Sequence, residues 1–322
     1  MISNDIFEAC VARAALAPTV HNTQPARWTR EGDILSLFCD TDVGLTVGDP
    51  TGRDAALSCG AVLEAMMLAL SAHGVGARVA YTGHATEPGH GLVAVAHLTL
   101  QRAEEDRLHS QLEDRFTWRG AFEDTPPALY GWTRPDMRLV LTDAERHWIA
   151  AQNDAASLAI MGDALFRDEL VAWMRLSDRH PRAGVDGMDR HAMQMSAGQA
   201  RLVPWVLLKL WPVLSALRLT KGLTAEGSMT SRSPVIALFH RDISENPVVS
   251  GRAYLRLCLE AASLGFAGWP MAALSDHGPT QTAVYQHFGL PPDRRLVQAI
   301  RFGRPTGDAP PRARRPLGEI LR

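Results

Sequence analysis

Lysine is nearly missing from this chain. Lys209 and Lys221 are its only lysines among 33 basic residues, so any anion site must be built from arginine. A guanidinium offers a planar fork of donors, which favours bidentate phosphate contacts. Cysteine is scarce as well: Cys10, Cys39, Cys59 and Cys258 lie far apart and no CxxC occurs. That spacing argues against a zinc site or a dithiol redox pair and predicts buried free thiols in a reducing compartment. Neither sign of charge dominates. The net charge of −2 gives no general pull toward nucleic acid or membrane, and neither partner is expected. Long apolar runs are missing too. The most apolar stretch, Val203 to Leu219, holds Pro204, Lys209, Pro212 and Arg218 and is too short to span a bilayer comfortably. It is expected to form a buried or pocket-covering helical hairpin, with a membrane-surface segment as the alternative. The N-terminus lacks the basic-then-apolar layout of a secretory signal, which points to the cytoplasm. No HExxH, GxSxG or Walker motif occurs, and His21, His180, His191, His240, His277 and His287 have no metal-ligand spacing, so no metal is expected. GVGAR at Gly74 lacks the third glycine of a dinucleotide fingerprint.

What is present is enough for a large core: 322 residues, of which 46% are hydrophobic, allow one large domain or two ordinary ones. Ile6, Cys10, Ala14 and Ala17 predict a first helix that Pro18 ends. Ile34 to Asp40 reads as a strand. Asp49 is expected to cap a helix with Pro50 in its first position, followed by a helix over Ala55 to Ala72 that is apolar nearly all round and therefore buried. Arg78 to Tyr81 and Leu92 to Leu100 read as strands. The second half repeats the order: strands at Arg138–Thr142 and Pro234–His240, a second apolar helix at Gly251–Gly268, and a strand at Arg295–Phe302. The two long helices can be overlaid. Gly60 and Gly74 have the spacing of Gly251 and Gly265, and Leu63, Met66, Met67 and Leu68 then face Tyr254, Leu257, Cys258 and Leu259. A stretch of that length spans about 21 Å of helix, so both would be central. A duplicated α+β unit is the organisation this predicts.

Two stretches carry candidate chemistry. APTVHNTQPARW, Ala17 to Trp28, crowds Thr19, His21, Asn22, Thr23 and Gln24 between two prolines. It is either an ordered turn that satisfies its own backbone or a loop that wraps a polar, planar ligand. In RFTWR, Arg115, Thr117 and Arg119 fall at alternate positions, so an extended segment would put them on one face. Two guanidinium forks and a hydroxyl suit a phosphate monoester; a solvated edge strand paired with Glu113, Asp114 and Glu123 is the other reading. Arg312, Arg314 and Arg315 form a basic run near the C-terminal end.

These stretches together resemble a known family. PTVHNTQPARW is similar to the PSxxNxQPW loop of the FMN-dependent nitroreductases, RFTWR to their RxSxR phosphate signature, and RRPLGEI, Arg314 to Ile320, to the ending of many members. The layout resembles the double-length Acg-like subgroup, in which two nitroreductase-like halves are fused. The resemblance implies an α+β nitroreductase-like fold, an internal pseudo-dimer with long central helices and mixed sheets, divided into residues 1–110 and 111–322. It implies one complete flavin site, because the first half carries the loop and the second the arginines. Arg115, Thr117, Arg119, Arg312 and Arg314 would hold the FMN phosphate. Pro18, Thr19, Val20 and Asn22 would line the ring and ribityl chain, and Pro270, Met271, Ala272 and Ala273 would approach N5. Thr117 stands where serine is usual, Ala26 where the loop has tryptophan, and Ala272 where an acid is frequent.

The implied activity is a ping-pong oxidoreductase that takes electrons from NAD(P)H and passes them to a small electrophilic acceptor such as a nitroaromatic or quinone. No catalytic side chain is expected, because the flavin carries the chemistry. The alternative is an FMN-sequestering protein closed by a lid. Residues 161–223 are the expected lid, with Met193, Met195, Trp205 and Trp211 as adaptable apolar surface. A fused pseudo-dimer could work as a monomer or a homodimer.

Overall fold

The computed structural model describes residues 2–322 except 84, 85, 125–128 and 130. Helix α1 (Asn4–Ala14) is capped by Ser3, whose hydroxyl accepts from the N–H of Ile6 at 3.2 Å. It buries Phe7, Cys10, Val11 and Ala14. Four strands follow: β1 (Ala26–Glu31), β2 (Ile34–Asp40), β3 (Val75–Tyr81) and β4 (Leu92–Arg102). They form an antiparallel sheet in the order β1-β2-β4-β3, with helix α2 (Arg53–Ser71) between β2 and β3.

The second half builds the same pattern. β5 (Met137–Val140), β6 (Val235–Asp242), β7 (Ala267–Pro270) and β8 (Arg294–Gly303) pair antiparallel in the order β5-β6-β8-β7. A second long helix, Pro247–Ser263, lies between β6 and β7. Each four-stranded sheet is antiparallel within itself. Among the described residues, parallel pairing occurs in a two-stranded ladder of Met174–Arg175 with Met188–Asp189 and at single bridges, Trp28 with Leu321 and Thr117 with Gly268.

The two long helices pack directly on each other, and the aligned glycines are the reason they can. A Cβ on Gly60 would stand 2.0 Å from the Val248 carbonyl oxygen, and one on Gly251 would stand 2.1 Å from that of Leu57. The second pair, Gly74 and Gly265, ends each helix with φ of 69° and 77°, a conformation only glycine adopts cheaply. Buried Glu64 bridges the helices, accepting from Arg252 Nε at 2.7 Å and Arg256 Nη1 at 2.8 Å.

Some expectations need correction. Pro50 precedes the helix: Gly52, at φ 66°, is the cap residue, and Arg53 starts the first turn. Asp49 still serves that helix end, its carboxylate accepting from Ala55 N at 2.9 Å. The quoted loop is shorter than read, because β1 begins at Ala26 and buries Trp28 completely. Val203–Leu219 forms no hairpin. It continues α5 (Ala197–Trp205) through a π-type turn at Val206–Leu210 into α6 (Trp211–Ala216). Pro212 has no N–H to return to the preceding turn, which accounts for the loosened ladder there. Nor is this segment buried: only Leu207 and Trp211 are, while its outer face is exposed. All four cysteines are free and buried.

Between β5 and β6 the chain makes an excursion that includes α3 (Asp143–Ile160), α4 (Ala164–Ala172), α5 and α6. Here Met174, Met188, Leu207 and Trp211 form a small core of their own.

Candidate functional site

The loop after α1 is held in an unusual backbone conformation. His21, Asn22 and Gln24 have φ of 43°, 54° and 52°. Three left-handed non-glycine residues within four positions store strain that surrounding contacts must hold. Thr19 Oγ1 accepts from Gln24 N at 3.1 Å, so part of the loop does satisfy itself. Ser58 Oγ of α2 accepts from Val20 N at 3.0 Å. At the far end, buried Arg27 donates to Gln24 O at 2.8 Å and pairs with Asp40 at 2.7 Å.

The remaining polar groups reach outward. Asn22 Nδ2 donates to Gly187 O at 3.0 Å and to Ala313 O at 3.2 Å, and Gly187 N returns a bond to Asn22 O at 3.1 Å. Gln24 Nε2 donates to Val185 O at 2.8 Å and its Oε1 accepts from Arg315 N at 2.9 Å. The loop is thus a junction between α1, the excursion and the C-terminal segment.

The arginines converge on the same junction. Buried Arg115 Nη2 and Arg314 Nη2 both donate to Leu16 O, each at 3.2 Å. Arg314 Nη1 also donates to Asn22 Oδ1 at 3.2 Å. Arg312 donates to the carbonyls of Glu113 and Arg115. None of Arg115, Arg119, Arg312 and Arg314 has a carboxylate partner among the described residues, and Arg314 Nε is buried without any partner. The Arg314 guanidinium is held down to about 9, by burial first and then by Arg115 and Arg312. Three guanidinium groups crowd together with no carboxylate partner among the described residues, a donor set that suits an anionic ligand.

RFTWR forms a single bridge rather than a strand, and its side chains divide. Thr117 bridges to Gly268, and Trp118 N donates to Gly268 O at 3.0 Å, tying the run to β7. Arg119 Nη1 donates to Ala192 O at 3.1 Å and acts electrostatically on His21. Tyr254, which feels both Arg115 and Arg119, is held far above a normal phenol by burial. The His21 imidazole is pushed down to about 4, by burial first and then by Arg119, and its Nδ1 has no partner.

Past β7 the chain turns at Met271, which is buried and donates its N–H to Ala299 O at 2.7 Å. Ala272 N, by contrast, has no acceptor among the described residues. Behind this turn, fully buried Arg301 lies 3.6 Å from the Trp269 ring centroid and pairs with Glu226 at 2.8 Å.

Two sets of carboxylate contacts tie the excursion to other segments, one to residues 46–48 ahead of α2 and one to the C-terminal segment. Glu169 of α4 accepts from Thr46 Oγ1, Val47 N and Gly48 N at 3.1, 2.9 and 2.7 Å. Buried Asp186 accepts from Arg175, Arg182 and Arg315 at 3.1, 2.8 and 2.8 Å. Glu319 extends that network to Arg182 at 2.7 Å and Arg315 at 3.0 Å. A surface cleft of about 750 Å³ lies elsewhere, among Asp143, Arg146, His147, Ser228, Ser231 and Arg232.

No protein-family model matches the chain. Curated relatives do. "Putative NAD(P)H nitroreductase acg" of Mycobacterium tuberculosis is 39% identical over 90 residues, 28% of this chain and 27% of that protein. "Putative NAD(P)H nitroreductase Rv3131" of the same species is 44% identical over 66 residues, 20% of this chain and 19% of that protein. "Uncharacterized protein Rv3127" is 26% identical over 191 residues, 54% of this chain and 53% of that protein. The chain resembles mycobacterial nitroreductases. This agrees with the likeness carried by its loop and its arginine run. The matches span between about a fifth and about half of those relatives' lengths. Among solved structures, "FMN and NADPH-dependent nitroreductase NfnB" from sphigopyxis sp. strain HMH is 18% identical at a TM-score of 0.37, covering 67% of this chain and 98% of that one. NfnB from Mycobacterium smegmatis in complex with NADPH is 19% identical at 0.36, covering 66% and 95%. At these scores neither neighbour bears on the site.

His21 and Tyr254 were not singled out in the sequence as site residues. Tyr254 had one visible mark: it stands opposite Leu63 in the helix overlay, a phenol where the other copy has an aliphatic chain.

Proposed function

We propose that the chain is an FMN-dependent oxidoreductase of the nitroreductase type, taking electrons from NAD(P)H and passing them to a small electrophilic acceptor such as a nitroaromatic or a quinone, in the cytoplasm. The observation that carries this reading is that Arg115 and Arg314 meet on Leu16 O beside the strained loop, with Arg312 next to both and no carboxylate partner for any of the three among the described residues. A phosphate monoester fits that donor set: it is dianionic, accepts from several forks at once, and would give the unpartnered Arg314 Nε an acceptor.

On this reading Arg115, Thr117, Arg119, Arg312 and Arg314 hold the phosphate. Pro18, Thr19, Val20 and Asn22 border the ring and ribityl chain. Pro270, Met271, Ala272 and Ala273 approach the reactive edge, and the free Ala272 N–H is available to donate there. When bound, the flavin supplies hydride acceptance and electron delivery. The protein's own part is to position and to exclude water. The loop strain fixes the binding geometry in advance. We place the division of the chain at residues 1–110 and 111–322, with 161–223 as the covering segment. The repeated strand order supports two halves.

One observation favours a second reading, an FMN-sequestering protein. The amides of Asn22 and Gln24 tie the excursion to the loop, while Glu169 ties it to residues 46–48 and Asp186 ties it to Arg315 of the C-terminal segment. The two readings separate in one experiment: an absorbance spectrum of the FMN-loaded protein before and after anaerobic NAD(P)H. Rapid bleaching of the bound flavin supports the oxidoreductase. A bound flavin that stays oxidised supports sequestration, and no binding at all refutes both.

A further inference from the structure

The excursion has an outer surface that the flavin reading does not use. Leu202, Trp205, Val213, Leu217, Leu219 and Leu223 are each more than half exposed. With Leu208 they make seven of the thirteen large apolar side chains exposed among the described residues, all within 22 positions of the chain. The segment is firmly seated on its other side. Leu207 and Trp211 are buried against Met174 and Met188, and Arg167 donates to Leu207 O at 3.1 Å and stacks over Trp211. A helix that is apolar on both faces normally lies inside a protein or another apolar phase. Here one face has the protein core and the other has nothing.

Charge identifies what the outer face fits. Residues 191–225 contain no aspartate or glutamate, although the chain as a whole has 35 in 322. The same stretch carries Arg201, Lys209, Arg218 and Lys221, including both lysines of the chain. All four are exposed and none has a carboxylate partner among the described residues. Cations interleaved with leucine and an exposed tryptophan match the boundary of an anionic bilayer. There the apolar side chains enter the acyl region and the long basic chains reach back to the headgroups. A second copy of this chain fits less well, since a two-fold contact would set these cations against themselves. Nucleic acid would leave the leucines without a role.

We infer that the outer face of residues 201–223 is a membrane-association surface that seats on an anionic lipid bilayer. The overall charge of −2 conceals it, because the acids are all elsewhere. The long apolar helix α2 is no alternative anchor, since most of it is buried in the core. The inference rests on this surface alone and stands or falls separately from flavin binding.

The test is flotation of the full chain with vesicles of phosphatidylcholine alone or mixed equally with phosphatidylglycerol. Binding to the anionic vesicles should exceed that to neutral ones by about tenfold or more and fall as salt is added. Lys209→Glu with Lys221→Glu should abolish it, and Val213→Ser with Leu217→Ser should weaken it on the same vesicles. These side chains are exposed and partnerless, so circular dichroism and melting temperature should match the parent. Absence of recruitment to anionic vesicles overturns the proposal, as does equal recruitment to both kinds that ignores the lysine reversal. A concentration-dependent dimer that Leu217→Ser dissolves, without vesicle binding, would assign the face to a second copy and also overturn it.

Discussion

The long helices α2 and Pro247–Ser263, called α7 below, occupy equivalent places in the two halves, yet they have become different objects. In α2, 15 of 19 residues are buried, and the single buried charge, Glu64, is paired across to its partner. In α7 only 8 of 17 are buried, and it carries Arg252, Tyr254, Arg256 and Glu260. The glycines at the crossing and at the ends match, while the residues between them have diverged. The two copies are held to one backbone geometry wherever they touch. Where they do not, one has turned into core and the other keeps polar residues, of which Tyr254 lies toward Arg115 and Arg119. The loop belongs to the half with the apolar helix and the RFTWR run to the half with the polar one. On the proposed reading the duplication therefore carries one site rather than two.

Breaking the shared geometry should have the largest effect. Gly251→Ala puts a Cβ 2.1 Å from a carbonyl oxygen, and neither helix can yield alone. A loss of about 4 kcal/mol or more is expected, read by denaturant unfolding. Gly265→Ala, at φ 77° with open space around it, should cost only about 1 kcal/mol. Equal losses at the two glycines would show that the close crossing is not what sets their spacing.

Next in size is the divergence itself. Arg115→Ala with Arg119→Ala removes two charge-assisted donors and should weaken FMN retention by about two orders of magnitude or more. A double variant that still purifies yellow would contradict the phosphate assignment.

The covering segment comes third. Asp186→Ala leaves Arg175, Arg182 and Arg315 without their common anion and should cost about 3 kcal/mol, confined to that junction. Proteolysis between residues 175 and 187 should accelerate while the global melt moves little. If the segment only covers the site, NAD(P)H oxidation should rise. If it also completes the site, FMN should leave.

The smallest effect concerns pH. A free imidazole titrates near 6.5, and His21 is pushed down to about 4. The native ring therefore stays neutral while the unfolded one takes up a proton. Stability should be full above about pH 6.5 and fall between 6.5 and 4, by about 2 kcal/mol for this partly buried ring. His21→Gln should flatten that slope in pH-dependent unfolding. An unchanged slope would place the titration elsewhere.

Much of the fold could be read in advance because it depends on local or repeated features. Periodicity locates both long helices, Ile34–Asp40 reads as β2 with its observed ends, and the glycine spacing marks the two helices as equivalent, though only the structure shows that Gly60 and Gly251 form their crossing. The candidate site was legible as a set of residues but not as an arrangement. Nothing local tells that Asn22 will donate to Gly187 and Ala313, which are 165 and 291 residues away in sequence. Nor does it tell that His21, Asn22 and Gln24 will be left-handed, since each is common in ordinary turns. The 203–219 segment was misread because its composition is that of a buried element. Only the packing shows that one of its faces has no protein against it.

The most direct test of a single site shared between the halves is the FMN content per chain after gel filtration, from the flavin-to-protein absorbance ratio. One FMN per chain, lost in the Arg115→Ala, Arg119→Ala variant, is the predicted result. Two per chain, or one that survives the double substitution, would contradict it.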